Sequence, residues 1–137
     1  MKKIFYLFVI LIFSPVVGFS QTSGQTEAAD TIAVEITFEK TVHDFGTLEY
    51  AEDASIQFNF ENTGKEPLVI KRVKSSCGCT VPEWSKEPIN MGKKGFIKLK
   101  YNTHTQGRFT KSVHVYSNAK NSPVMLTIKG EVIKSSK

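Results

Sequence analysis

The residues with the most chemistry in this 137-residue chain sit close together, in Ser75-Ser76-Cys77-Gly78-Cys79-Thr80 and the Val81-Pro82-Glu83-Trp84 that follows. Cys77 and Cys79 are the only cysteines. In an oxidising compartment such a pair is expected to be joined. Residues two apart lie near the upper Cα separation a disulfide allows, so the chain must bend. Gly78 is expected to supply that bend through dihedrals other residues resist. The bond closes a three-residue loop, for which chain entropy gives only about 1.6 kcal/mol before strain. It is a poor staple, and three readings stand: a reducible disulfide suited to thiol exchange, a reduced thiolate pair holding Cu(I), or a turn lock without chemistry. Lys71, Arg72 and Lys74 lie just upstream, and cations near a thiol lower its pKa. Trp84 is the only tryptophan, expected as a core residue or as an anchor for a partner.

Other chemistry is thin. Two cysteines cannot complete a four-ligand zinc site. His43, His104 and His114 are scattered, and each reads as a lone surface histidine. Asp44-Phe45-Gly46 coincides with the magnesium-binding triplet of kinases, but the other kinase elements are absent. Phe45 is expected to pack inward and Gly46 to turn the chain. Gly92-Lys93-Lys94-Gly95 lacks the spacing of a phosphate loop. Lys93, Lys94, Lys98 and Lys100 form a basic stretch, read either as a polyanion site or as charge guarding an exposed strand edge. These readings assign no catalytic residue, no cofactor and no metal beyond the Cu(I) alternative at Cys77 and Cys79. A non-enzymatic binding or envelope-structural module is expected, docking its partner on an exposed sheet edge or on the Cys-loop end, with Gly78 and Trp84 as partner-binding candidates.

Positioning these residues falls to the remainder of the chain. Its 18 basic and 13 acidic residues, 40% hydrophobic content and ordinary charged fraction fit one folded domain and exclude a disordered chain. Residues 1–20 carry Lys2 and Lys3, then an apolar run from Ile4 to Phe13, then Ser14-Pro15 and Gly18-Phe19-Ser20. This is expected to be a secretory signal peptide, too short to span a bilayer. Clipping it removes two lysines and leaves 16 basic against 13 acidic residues, a net charge of +3. Residues 21–31 read as a flexible polar leader, residues 32–133 as the folded domain and residues 134–137 as a basic tail. The expected location is periplasmic or secreted. The expected partner is a protein or an envelope glycan, with no nucleic acid and no integral membrane span.

Within the domain, apolar residues recur every second position. Val34, Ile36 and Phe38 do so, then Ile56, Phe58 and Phe60, Leu68 and Ile70, Ile97, Leu99 and Tyr101, Val113 and Val115, and Leu126 and Ile128. Each run gives one buried and one wet face. Turn chemistry punctuates them at Asn62-Thr63-Gly64-Lys65, Asn90 to Lys93, Gln106-Gly107 and Asn118 to Pro123. This predicts an all-β fold, an immunoglobulin-like antiparallel β-sandwich of about seven strands, with a small barrel as the rival.

Four ordered motifs carry a resemblance: His43-Asp44-Phe45-Gly46-Thr47, Phe60 through Leu68 (FENTGKEPL), Ser76-Cys77-Gly78-Cys79-Thr80-Val81-Pro82 and Val115-Tyr116-Ser117-Asn118. From about Thr41 to Val132 the chain resembles bacterial exported domain-of-unknown-function family 1573. That likeness implies an immunoglobulin-like sandwich similar to hydin-type domains and implies no activity. Lys93-Lys94 and Ala119 depart from the pattern at turns.

Overall fold

A computed structural model describes residues 33–134. The expected signal peptide, the expected leader, Ile32 and all but the first residue of the expected basic tail lie outside the described residues. Eight strands form: β1 Ile36–Phe38, β2 Val42–Glu49, β3 Ala54–Asn62, β4 Ile70–Ser75, β5 Thr80–Trp84, β6 Lys94–Tyr101, β7 Gly107–Ser117 and β8 Val124–Ile133. They make two four-stranded sheets, ordered β1-β3-β6-β5 and β2-β8-β7-β4. No helix is present among the described residues. The architecture is a β-sandwich, not a closed barrel.

The period-two runs point their apolar members between the sheets. Phe58, Phe60, Ile97 and Leu99 of the first sheet face Val113, Val115, Leu126 and Ile128 of the second, each at most 1% exposed. At about 25 cal/mol per Å² of apolar surface, this shared layer is what holds the sheets together. Phe45 packs against the same cluster, and Gly46 adopts φ +65° where the pairing of β2 with β8 shifts register. Asp44 Oδ1 accepts the Gly46 N–H at 2.8 Å, which fixes that bulge.

Two features depart from the expected pattern. β2 pairs with β8 in parallel, so the sandwich is not wholly antiparallel. Side-chain period fixes which face is buried but not which neighbour a strand takes or in which direction. β6 pairs with β3 on one side and β5 on the other. Lys98 and Lys100 therefore occupy the wet face of a central strand, and the edge-guarding reading of that basic stretch is wrong. Lys100 Nζ lies 3.5 Å from Asp53 Oδ1 instead.

Three signature pieces have structural explanations. Asn62 is fully buried. Its Nδ2 donates to the carbonyls of Glu66 (2.7 Å) and Ile89 (2.8 Å), and its Oδ1 accepts the Gly64 N–H at 2.9 Å. Asn118 Oδ1 accepts the Val69 N–H and its Nδ2 donates to the Pro67 carbonyl, tying the lead-in of β4 to the end of β7. Gly64 lies against the backbone of Ala33, Val34 and Glu35, where a Cβ would collide. The His43 to Thr47 piece forms the Gly46 bulge.

Candidate functional site at the Cys-Gly-Cys crossover

The fourth signature piece lies at the surface. Residues 76–79 carry the chain from β4, at the edge of one sheet, to β5, at the edge of the other. Cys77 and Cys79 form a disulfide with Cα atoms 5.3 Å apart. Both cysteines are half-buried and Gly78 is exposed. The Ser75 hydroxyl accepts the Cys77 N–H at 3.4 Å, and the Cys79 carbonyl accepts the Asn102 N–H at 2.8 Å. Gly78 does not have a positive φ, and a Cβ there would meet open space. The expectation that the bend needs glycine's dihedral freedom is thus corrected: the turn is one an L-residue can adopt. While that bond is intact, neither sulfur offers a thiolate to Cu(I).

Cys79 and Gly78 border a hollow of about 320 Å³, near the lower limit for a small-molecule pocket. Asp53, Lys100, Asn102 and His104 complete the part that matters chemically. Thr103 Oγ1 donates to the Glu52 carbonyl at 2.6 Å, closing the β2–β3 turn against the β6–β7 loop. Asn102 Oδ1 accepts the His104 N–H at 3.0 Å and lies 2.8 Å from the ring Nδ1. The Tyr50 ring meets the imidazole edge-on, with centroids 5.3 Å apart. His104 is therefore a positioned group beside the disulfide, although in sequence it reads as a lone histidine. Only the closing of β6 on β5 brings it there, and no local signal announces it.

Trp84 is not part of this end. It is the last residue of β5, roughly 16 Å along an extended strand from Cys79. It packs half-buried against the core, and Lys86 Nζ sits 3.1 Å from its ring centroid. Among the described residues no group of three His, Cys, Asp or Glu side chains gathers as a metal site.

The edges flanking the crossover differ in kind. The Asn102-to-Cys79 and Ser85-to-Phe96 bonds show that residues 79, 81, 83 and 85 bond toward β6. By alternation, residues 80, 82 and 84 turn their main chain outward. Pro82 thus stands where an outward N–H would be, a position that tolerates proline and leaves a gap in the β5 edge. On β4, the Ser76 N–H bonds to the Ser112 carbonyl, and Lys74 and Arg72 pair in the same register. Val73 and Ser75 consequently turn their N–H and C=O groups away from β7. Ile70 and Val73 face the core, while Lys71, Arg72 and Lys74 are exposed.

The two-sheet order and the edge crossover define the class: an immunoglobulin-like β-sandwich. A chain of unknown function from Porphyromonas gingivalis W83 matches with a TM-score of 0.65 at 16% identity, covering 77% of this chain and 51% of that one. PapD-like domain 7 of human CEP192 matches with a TM-score of 0.64 at 9% identity, covering 76% and 89%. A chain of the CsuC–CsuE chaperone–tip adhesion subunit complex of Acinetobacter baumannii matches at 0.50 and 13% identity, covering 73% and 57%. This chain thus spans about half of the Porphyromonas protein and most of the human domain. No curated protein matches in sequence. The family pattern for protein of unknown function DUF1573 matches residues 36–132, and the chain belongs to that family.

Proposed function

We propose that this chain is an exported, non-enzymatic binding module of the cell envelope, docking a protein partner on the side of the sandwich that carries the Cys-Gly-Cys crossover. The observation that carries this reading is the separation of roles among the signature motifs. Asn62, Asn118, Gly64 and Gly46 each have a packing or hydrogen-bonding duty. Cys77, Gly78 and Cys79 stand at the surface, and the bond between the cysteines adds little stability. The apolar run at residues 4–13 supports export, and a disulfide fits an oxidising compartment. The likeness to a chaperone–adhesin assembly supports a protein partner over an envelope glycan.

The test is a photo-crosslinking residue placed at Gly78, where a side chain has open space, in the living cell. Met91, 63% exposed in the turn before β6, is the control position. A discrete protein adduct from Gly78 and none from Met91 is expected. No adduct, or the same pattern from both positions, overturns the reading. A thiol-exchange role is the second reading, favoured by a half-exposed disulfide bordering a hollow that His104 also lines. Equilibration with glutathione buffers separates the two, because an exchanger is reduced within the range of known thiol oxidoreductases.

A further inference from the structure

A sandwich of two open sheets has four edges, and three of them here are obstructed. At β1 the outward main chain of Ile36 is already occupied. Asn121 Oδ1 accepts the Ile36 N–H (3.3 Å), Asn121 Nδ2 donates to the Ile36 carbonyl (2.8 Å), and the Lys120 N–H bonds to the Val34 carbonyl. β2 is interrupted by the Gly46 bulge, whose N–H is taken by Asp44. β5 is five residues long and lacks a donor at Pro82.

β4 is different. Its lead-in is covered at Leu68, which exchanges both main-chain bonds with Ile89. Its pairing with β7 shifts register between Ile70 and Arg72, and from Arg72 to Ser75 the strand runs in continuous register, bonded to β7 alone. The outward groups of Val73 and Ser75 form a short row two residues apart, the spacing an added strand reads. Around that row stand Lys71, Arg72 and Lys74, and no acid occurs in Ile70–Ser75. Among the described residues none of the three enters an ion pair. Arg72 is held over the Tyr116 ring with its guanidinium carbon 4.4 Å from the centroid, so its direction is set in advance. Lysines on an edge repel a basic strand and give a neutral one nothing. The same charges complement an acidic strand, so the edge is selective rather than merely closed.

We propose that β4 accepts an acidic, extended segment of a partner protein as an added strand, main chain to main chain at Val73 and Ser75, with Lys71, Arg72 and Lys74 reading its carboxylates. This names the chemistry of the partner and so rests on the binding-module reading.

The test uses the purified full chain and a synthetic octapeptide alternating glutamate with valine. Three comparisons accompany it: the same peptide N-methylated at every second amide, a lysine-for-glutamate peptide, and the Lys71→Glu/Lys74→Glu variant, whose thermal midpoint verifies its fold. Saturable binding of the octapeptide is expected. At least tenfold weakening is expected for the N-methylated peptide and for the variant, with no binding of the lysine peptide. The amides of Val73 and Ser75 should gain protection from hydrogen exchange. No binding, equal binding of the N-methylated peptide, or protection on another strand overturns the proposal. Equal binding of the N-methylated peptide identifies a plain polyanion site, as an anionic glycan would use. Self-association through β4 without peptide, seen by sedimentation, identifies a second copy as the occupant and also overturns it. The in-cell adduct from Gly78 does not depend on any of these results, so its persistence would leave the wider reading standing.

Discussion

Replacing Asn62 tests the packing argument most sharply. Its side chain makes three hydrogen bonds of 2.7–2.9 Å inside a fully buried site. Asn62→Ala removes all three. The Ile89 carbonyl keeps the Leu68 N–H at 2.9 Å, and the carbonyl of exposed Glu66 can turn to water. The Gly64 N–H is the group left without a partner. At about 1 kcal/mol per net bond, the expected loss is about 3 kcal/mol, equivalent to about 15 °C in thermal midpoint for a domain of this size. Asn62→Asp keeps the acceptor for Gly64 but sets a carboxylate oxygen against two carbonyl oxygens. It should therefore be less stable than Asn62→Ala at neutral pH. The new carboxyl has a folded pKa raised above its unfolded value. Its protonated form can donate to one carbonyl, so the aspartate variant should gain stability relative to wild type as pH falls toward 4, while the alanine variant should not. Urea denaturation of the three proteins at neutral and acidic pH measures the order. An aspartate variant as stable as wild type at pH 7, or an alanine variant losing under about 1 kcal/mol, refutes the account of Asn62 as the hub of this turn.

Four further outcomes are expected. Cys77→Ser with Cys79→Ser should cost no more than about 1.6 kcal/mol in urea with an unchanged slope; loss of cooperative unfolding would contradict the weak-staple argument. Gly64→Ala drives a Cβ into the backbone ahead of β1, so calorimetry should show at least about 2 kcal/mol of destabilisation. Gly78→Ala should fall within about 0.5 kcal/mol of wild type by the same measurement, since its Cβ meets nothing. His43 is held below its ordinary pKa, by burial first and then by Lys40. The unfolded chain therefore binds this proton more readily, and the contribution of His43 is present above about pH 6.5 and lost as pH falls below it. Stability against pH for His43→Gln should be flatter through that window than for wild type.

The sequence pattern carried the core well and the connectivity poorly. Every alternating run from Val34 to Ile128 points its apolar side inward, because burial of one strand face is a local property of two-residue period. β2 escaped that reading because only Leu48 among its residues is fully buried, and the Gly46 bulge breaks the alternation. β5 escaped it because Thr80, Pro82 and Trp84, not aliphatic residues, form its inward side. The place of β6 in mid-sheet, which changes the meaning of Lys98 and Lys100, depends on pairing over distance. At the candidate site the cysteine pair was legible from spacing and compartment. His104 and Asn102 were not, since they reach Cys79 only through the register of β5 on β6. The distance between Trp84 and the disulfide follows from the intervening residues being extended, which adjacency in sequence conceals.

Asn121 has a consequence for how many partners the domain can hold. A filament built by strand addition grows only if each unit offers a sticky border at both ends, so that every joined unit presents a fresh one. Here a single amide side chain impersonates a neighbouring strand at Ile36, and the opposite border of that sheet lacks a donor at Pro82. The first sheet cannot propagate in either direction. On the proposed reading the second extends past β4, while the Gly46 bulge interrupts β2. On that reading the domain has a valence of one: a strand that joins it ends the chain of additions, and the assembly stops at a pair.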